Sequence, residues 1–128
     1  MNKKVLVVDD QFSIRLLLSE VLRSEGIDVE DAKSGEEAIM KFEGFQADLI
    51  LLDMKMPGMN GVDVLRHFRR KLKSDIPIFM MTAYSDLDML EEAKRLGVNR
   101  QFTKPFDVCE ISEAVSKEVC KKKTIVCG

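Results

Sequence analysis

Several short strand-like runs in this chain stop abruptly at residues able to do chemistry. Lys4 to Val8 ends at Asp9 and Asp10, Leu49 to Leu52 at Asp53, Ile76 to Met81 at Thr82, and Arg100 to Thr103 at Lys104. Three carboxylates, a hydroxyl and an ammonium thus occupy comparable positions on four separate segments. Brought together, the carboxylates would repel and raise one another's pKa unless a cation lay among them. A small hard cation with oxygen ligands, Mg²⁺ first or another such as Mn²⁺, answers that need, with Asp9, Asp10 and Asp53 around it. Mg²⁺ takes only one or two carboxylates directly and accepts further oxygens from phosphate, which leaves a carboxylate free to react. Asp53, alone at the end of the most apolar run, is best placed to attack a phosphoryl group and form an acyl phosphate. The three equatorial oxygens would then be covered by the cation, by the Lys104 ammonium and by the Thr82 hydroxyl with nearby backbone N–H groups.

Each of these residues also has an ordinary structural use. Asp9 and Asp10 are good helix N-caps, and Asp53 suits the start of the turn before Pro57-Gly58. Their joint placement at strand ends is what argues for a site. Absences narrow the chemistry further. An aspartate-nucleophile phosphatase of the haloacid-dehalogenase type carries an acid two residues after the nucleophile, but that position is Lys55. The single histidine, His67, falls in a predicted helix away from the strand ends, so no imidazole is offered as a general base. GxxxxGK[ST] and GxGxxG are both missing, which disfavours direct nucleotide binding. A slowly decaying phospho-aspartate, fed by another protein or a small phosphodonor, is the expected result.

The elements that must hold these residues alternate. After the first strand, Ile14, Leu17, Leu18, Val21 and Leu22 follow helical spacing up to Gly26. Ile27 to Glu30 reads as a weak strand, and Ser34-Gly35-Glu36-Glu37 as a capping box opening a second helix that ends near Gly44. Val62, Leu65 and Phe68 suggest a third helix after the Pro57-Gly58-Met59-Asn60-Gly61 turn. Ile76 to Met81 is the fourth strand, with Pro77 near its start. Ser85 is expected to cap a fourth helix running to Leu96, and Asp107-x-x-Glu110 to open a fifth through Val119. Short connections between alternating strands and helices imply a doubly wound parallel sheet, with ligands binding at the strand C-termini.

With 128 residues, 45% hydrophobic and 33% charged, the chain suits one domain, assigned to 1–120, followed by a short basic tail at 121–128. On this reading there is no room for an effector module, so the output must be the phosphoryl group or the phosphorylated surface itself. Twenty basic against 22 acidic residues argue against a nucleic-acid partner. No run of 18 apolar residues suggests a membrane span. Three cysteines without CxxC spacing fit a reducing cytoplasm.

The motifs Val8-Asp9-Asp10, Leu51 to Gly61, Met81-Thr82-Ala83-Tyr84 and Phe102-Thr103-Lys104-Pro105-Phe106 together resemble those of response-regulator receiver domains over residues 3 to 120. Asp9-Asp10-Gln11 with Ile14-Arg15, Asp53-Met54-Lys55, and Thr82-Ala83-Tyr84 with Leu87-Asp88-Met89 resemble more narrowly the single-domain regulators of sporulation phosphorelays. The resemblance implies a flavodoxin-like (βα)5 fold of strand order 2-1-3-4-5. It makes Asp53 the phosphoacceptor, and Asp9, Asp10 and the Lys55 backbone carbonyl Mg²⁺ ligands. It puts Thr82 and Lys104 on the phosphoryl oxygens and makes Lys104-Pro105 a cis peptide. The family's usual strand-5 aromatic is replaced by Gln101, which favours phosphotransfer or docking over an aromatic flip. Expected partners are a sensor histidine kinase and a histidine phosphotransferase, with an aspartyl-phosphate phosphatase as a further candidate. Ile14, Leu17, Gln11, Met56, Pro105 and Phe106 would form an apolar collar for a histidine-bearing helical bundle, while Lys55 and Tyr84 restrict water. A monomeric phosphorelay intermediate is the first expectation. A phosphorylation-gated module that docks on a target protein, as in chemotaxis, is the alternative.

Overall fold

A computed structural model of the protein describes residues 2–127, and of residue 84 and residues 121–127 the backbone alone. The basic tail expected at 121–128 therefore lies outside the residues whose side chains are described. Along the chain run β1 (Lys4–Val8), α1 (Phe12–Ser24), β2 (Asp28–Ala32), α2 (Gly35–Phe45), β3 (Leu49–Asp53), α3 (Gly61–Arg66), β4 (Ile78–Thr82), α4 (Leu87–Arg95), β5 (Arg100–Thr103) and α5 (Val108–Cys127). The five strands form one parallel sheet in the order β2-β1-β3-β4-β5. This is the doubly wound, flavodoxin-like arrangement expected from the sequence. Among the described residues no helix is long and apolar enough to cross a membrane.

The continuous apolar runs follow from burial on both faces of the sheet. Val5, Val7, Leu49, Leu51, Phe79 and Met81 pack with Leu18 and Leu22 of α1 and Ile111 and Val115 of α5. The alternate residues Leu6, Val8, Ile50, Leu52, Ile78 and Met80 pack with Ala38 of α2, Val64 and Leu65 of α3 and Ala93 of α4. Phe68 closes this second layer, its ring edge-on to Phe42 at 4.8 Å between centroids. Register keeps the strand tips level: Val8 lies opposite Leu52 and Ala32, Asp53 opposite Met81, and Thr82 opposite Thr103.

Local differences from the sequence reading have tertiary causes. β2 runs one to two residues later than expected because its partner β1 pairs Lys4 with Asp28 and Val8 with Ala32. β4 begins after Pro77, which has no N–H to give, although its carbonyl accepts from Ile50 N–H at 3.0 Å. Ser34 caps α2 by accepting from Glu37 N–H at 3.1 Å, but Glu37 answers Lys33 N–H at 2.9 Å instead of Ser34. The reciprocal box is at α3, between Asn60 and Asp63. That helix ends in a π turn, His67–Lys71, which places His67 at the far end of α3 from β3. Ser85 does not cap α4. Residues Tyr84–Asp86 make a 3₁₀ turn instead, and the Asp86 carboxylate accepts from Ala83 N–H at 2.8 Å.

The turn from β3 into α3 is tight at Gly61, whose N–H reaches the Met54 carbonyl at 2.8 Å. A Cβ there would lie 2.6 Å from the Asp53 carbonyl oxygen and 2.8 Å from Met54 Cα, both backbone atoms that cannot swing aside. Gly61→Ala should therefore cost about 1–3 kcal/mol in urea unfolding. Gly44→Ala, on α2 with nothing within 4 Å of the added carbon, should instead gain about 0.4–1 kcal/mol. Equal effects of the two substitutions would contradict this account of the β3–α3 turn.

Candidate functional site

At the level strand tips the residues singled out from the sequence converge. One carboxylate oxygen from each of Asp9, Asp10 and Asp53 lies within 4.8 Å of the others. Asp9 and Asp53 are buried and Asp10 is exposed. Lys104 arrives from beyond β5 and places Nζ 3.0 Å from Asp53 Oδ1. Its backbone N–H donates to the Thr82 carbonyl at 2.6 Å, and the Lys104-Pro105 peptide is cis. Thr82 is itself buried, one residue beyond the Met81 that pairs with Asp53.

The electrostatics follow from three acids facing one close ammonium. Burial and then the neighbouring Asp9 charge push the Asp53 carboxyl up to about 6, against the pull of Lys104. Asp9 is raised as well, mainly by burial, against a hydrogen bond from Gln11 N–H and the charge of Lys104. Burial acts to lower Lys104, but its hydrogen bond and charge attraction to Asp53 outweigh it and hold the ammonium above its ordinary range. Negative charge here is undercompensated by protein groups alone.

The donor set fits a hard divalent cation. All three groups are carboxylates, the ligand type such ions take. Asp9 gives the sharpest sign. Its Oδ1 accepts from Gln11 N–H at 2.9 Å, but Oδ2 is buried with no hydrogen-bond partner. An unpartnered buried carboxylate oxygen costs desolvation free energy that a cation would return.

The expected collar is only partly exposed. Gln11 and Pro105 face solvent and Leu17 is 45% exposed, whereas Ile14 and Phe106 are half-buried against the α1/α5 layer. Met56 is a correction: it is buried in the α2/α3/α4 layer and supports the rim from beneath, because the β3–α3 connection folds inward before Gly61. Phe12 and Leu16, exposed at 66% and 46%, were not anticipated as surface near the rim, although Leu16 falls off the buried arc of α1 as its spacing requires. The Lys55 side chain is exposed and approaches Asp86 Oδ1 at 4.0 Å, and of Tyr84 only the backbone is described. Gln101 is exposed on β5, where the buried aromatic is the adjacent Phe102. Sequence reasoning also gave no role to Arg15, whose acceptors lie on Asp9 and β2, or to Asp86, whose carboxylate takes the Ala83 N–H three residues earlier.

Asp53 has a measurable consequence for stability. Its folded pKa of about 6 lies above the ordinary unfolded value, so the folded chain keeps this proton longer than the unfolded one. Stability is then fully present in acid and falls as pH rises from about 4 through 6. With EDTA present at about pH 7.5, Asp53→Asn should unfold at higher urea, by about 1–3 kcal/mol. The gap should close by about pH 4, and a gap that persists there would place the gain elsewhere.

Comparison with known proteins agrees with this geometry. The response regulator receiver domain model matches residues 5–116. Sporulation initiation phosphotransferase F of Bacillus subtilis is 45% identical over 117 residues, which is 91% of this chain and 94% of that protein. The alkaline phosphatase synthesis transcriptional regulatory protein PhoP of the same organism is 39% identical over 98% of this chain, but the chain spans only 51% of that protein. Among solved structures, a CheY-like receiver domain protein from Methanospirillum hungatei superposes with TM-score 0.88 at 27% identity, covering 97% of this chain and 98% of that one. Chemotaxis protein CheY4 of Vibrio cholerae gives 0.83 at 31%, covering 91% and 98%. With its level strand tips, its buried Asp53 and a family match over most of its length, the chain belongs to the response regulator receiver domains of two-component signalling.

Proposed function

We propose that this receiver domain is a phosphorelay intermediate: Asp53 takes a phosphoryl group from the phosphohistidine of a sensor kinase and yields it to a histidine phosphotransferase. The observation that carries this reading is the Lys104 ammonium 3.0 Å from a buried Asp53 carboxylate that also faces Asp9 and Asp10. In the transfer a carboxylate oxygen of Asp53 bonds to phosphorus as the P–N bond to imidazole breaks. The Lys104 ammonium and the Thr82 hydroxyl would each cover a phosphoryl oxygen, where charge builds during the step. Asp9, Asp10, Asp53 and the Lys55 carbonyl would hold Mg²⁺, or Mn²⁺ in its place, which supplies neutralising charge to the remaining oxygen. Lys55 stands two residues after Asp53, where an aspartate-nucleophile phosphatase carries its acid, and the single histidine, His67, lies at the far end of α3, which favours passing the phosphoryl group on over hydrolysing it.

The similarity to a sporulation initiation phosphotransferase supports relay over gated docking. So do Phe12, Leu16 and Leu17, apolar and exposed on α1, the helix that follows Asp9 and Asp10, which suit contact with a histidine-bearing helical bundle. Docking there, with Ile14, Gln11, Pro105 and Phe106 at the contact and Met56 beneath, would exclude water during transfer. Lys55 and Tyr84 would limit water access afterwards, and an aspartyl-phosphate phosphatase would use the same approach. On this reading residues 1–120 act as a cytoplasmic monomer with 121–128 as an appended tail.

With Mg²⁺ and acetyl phosphate, the parent should gain one alkali-labile phosphoryl and Asp53→Asn none. Lys104→Ala should label about 10²-fold more slowly. Equal labelling of Asp53→Asn would overturn the assignment. Chasing label into histidine phosphotransferases decides between relay, which returns phosphoryl to histidine, and phosphorylation-gated docking, which binds without transfer.

A further inference from the structure

Asp9 is held on nearly every polar atom. Its N–H donates to the Ala32 carbonyl at 3.1 Å, its Oδ1 accepts from Gln11 N–H, and its carbonyl accepts from Arg15 Nη1 at 2.8 Å. Only Oδ2 is left over, and it is buried. Of these partners Arg15 is the one side chain. Its Nε also donates to Asp31 Oδ2 at 2.8 Å, so one planar guanidinium in the first turns of α1 ties the tip of β1 to the tip of β2. The side chain is 13% exposed and its guanidinium carbon sits 5.6 Å from the Phe12 ring centroid. A fork with two fixed donor directions can satisfy both acceptors at once, which a lysine point charge cannot.

The geometry points to Arg15 as a positioning residue for the cation site: it fixes the Asp9 backbone so that Oδ2, and not Oδ1, is aimed into the carboxylate cluster. The inference rests on the Mg²⁺ reading above and extends it to a residue outside the cluster. The Asp9 carboxylate takes its hydrogen bond from Gln11 N–H, while Arg15 directs its Nε to the Asp31 carboxylate and its Nη1 to the Asp9 carbonyl. Its contribution is therefore geometric. That distinction has a sign. If Arg15 mattered only through its positive charge, removing it would tighten binding of a cation nearby. If it positions Asp9, removing it must weaken binding, as loss of an outer partner of a metal ligand does.

Titration calorimetry with MgCl2 on the parent, Arg15→Gln, Arg15→Lys and Lys41→Gln separates the two. Arg15→Gln should bind Mg²⁺ about tenfold more weakly. Arg15→Lys, which keeps the charge and loses the fork, should recover less than half of that loss on a logarithmic scale. Lys41→Gln removes a different cation from the end of β2, the 2.6 Å donor to the Asp31 carbonyl, and should leave affinity within about twofold. In EDTA, the Gln11 amide should exchange with solvent faster in Arg15→Gln than in the parent, a readout that needs no metal. Unchanged or tighter Mg²⁺ binding by Arg15→Gln overturns the proposal, as does full rescue by lysine or an equal loss in Lys41→Gln. If Arg15→Gln does not fold, Asp31→Asn tests the same tie from its other end, with a loss of about threefold expected and no loss overturning it. A parent that binds no Mg²⁺ would overturn the cation reading and this inference together. A parent that binds Mg²⁺ and labels at Asp53, beside variants that bind as well as it does, would overturn this inference alone.

Discussion

Everything at the strand tips answers to one imbalance: three carboxylates meet with a single ammonium within bonding distance. Asp53 and Asp9 are buried, so the repulsion between them is not screened by water, and Lys104 offsets only part of it. A compact chain would ordinarily spread such charges over its surface. Here the sheet forces them together, because parallel strands that share a register must end side by side. The packing on the two sheet faces supplies the stability that this local repulsion opposes.

The same constraint explains how firmly the surrounding backbone is fixed. Asp9 has its N–H and carbonyl engaged by separate elements, and Asp53 is followed at once by Met54, whose N–H reaches the Met81 carbonyl at 2.9 Å. Gly61 lets α3 begin against that strand end with no side chain between. A charged cluster with freedom to relax would open and hydrate, whereas one clamped from behind keeps its lone pairs aimed at whatever cation arrives. Repulsion of this kind, local and offset by packing elsewhere, is a common feature of sites that bind.

Much of this was legible in the residues themselves. Asp9, Asp53 and Thr82 stand where apolar runs stop, and a strand buried on both faces can stop being apolar only where it leaves the sheet, whereas Lys104 follows the largely exposed edge strand β5. The parallel, doubly wound sheet follows from short alternating connections, and its strand order from the resemblance to receiver domains. What was not legible depends on tertiary partners and on how individual turns fold. Arg15 is unremarkable on a helical wheel, since its acceptors belong to Asp9 and to β2. Met56 looked like exposed collar because a loop sequence does not reveal which of its residues turns inward. The starts of β2 and β4 were displaced because pairing with β1 and the missing N–H of Pro77 set them. Asp86 acts through a backbone N–H of the turn before α4, which the serine beside it seemed better suited to cap.

Lys104 comes from the last connection of the sheet and meets an aspartate 51 residues earlier in the chain. The strands between and beside them are parallel, so no hairpin can preassemble any part of the pocket, and each pairing must close a long loop first. During synthesis the acidic tips of β1 and β3 emerge well before their cation does. A ribosome-bound chain that lacks β5 has Asp53 but not the ammonium beside it. The chemistry of this domain is thereby tied to completion of its topology, and a half-made copy has no assembled site with which to intercept signal.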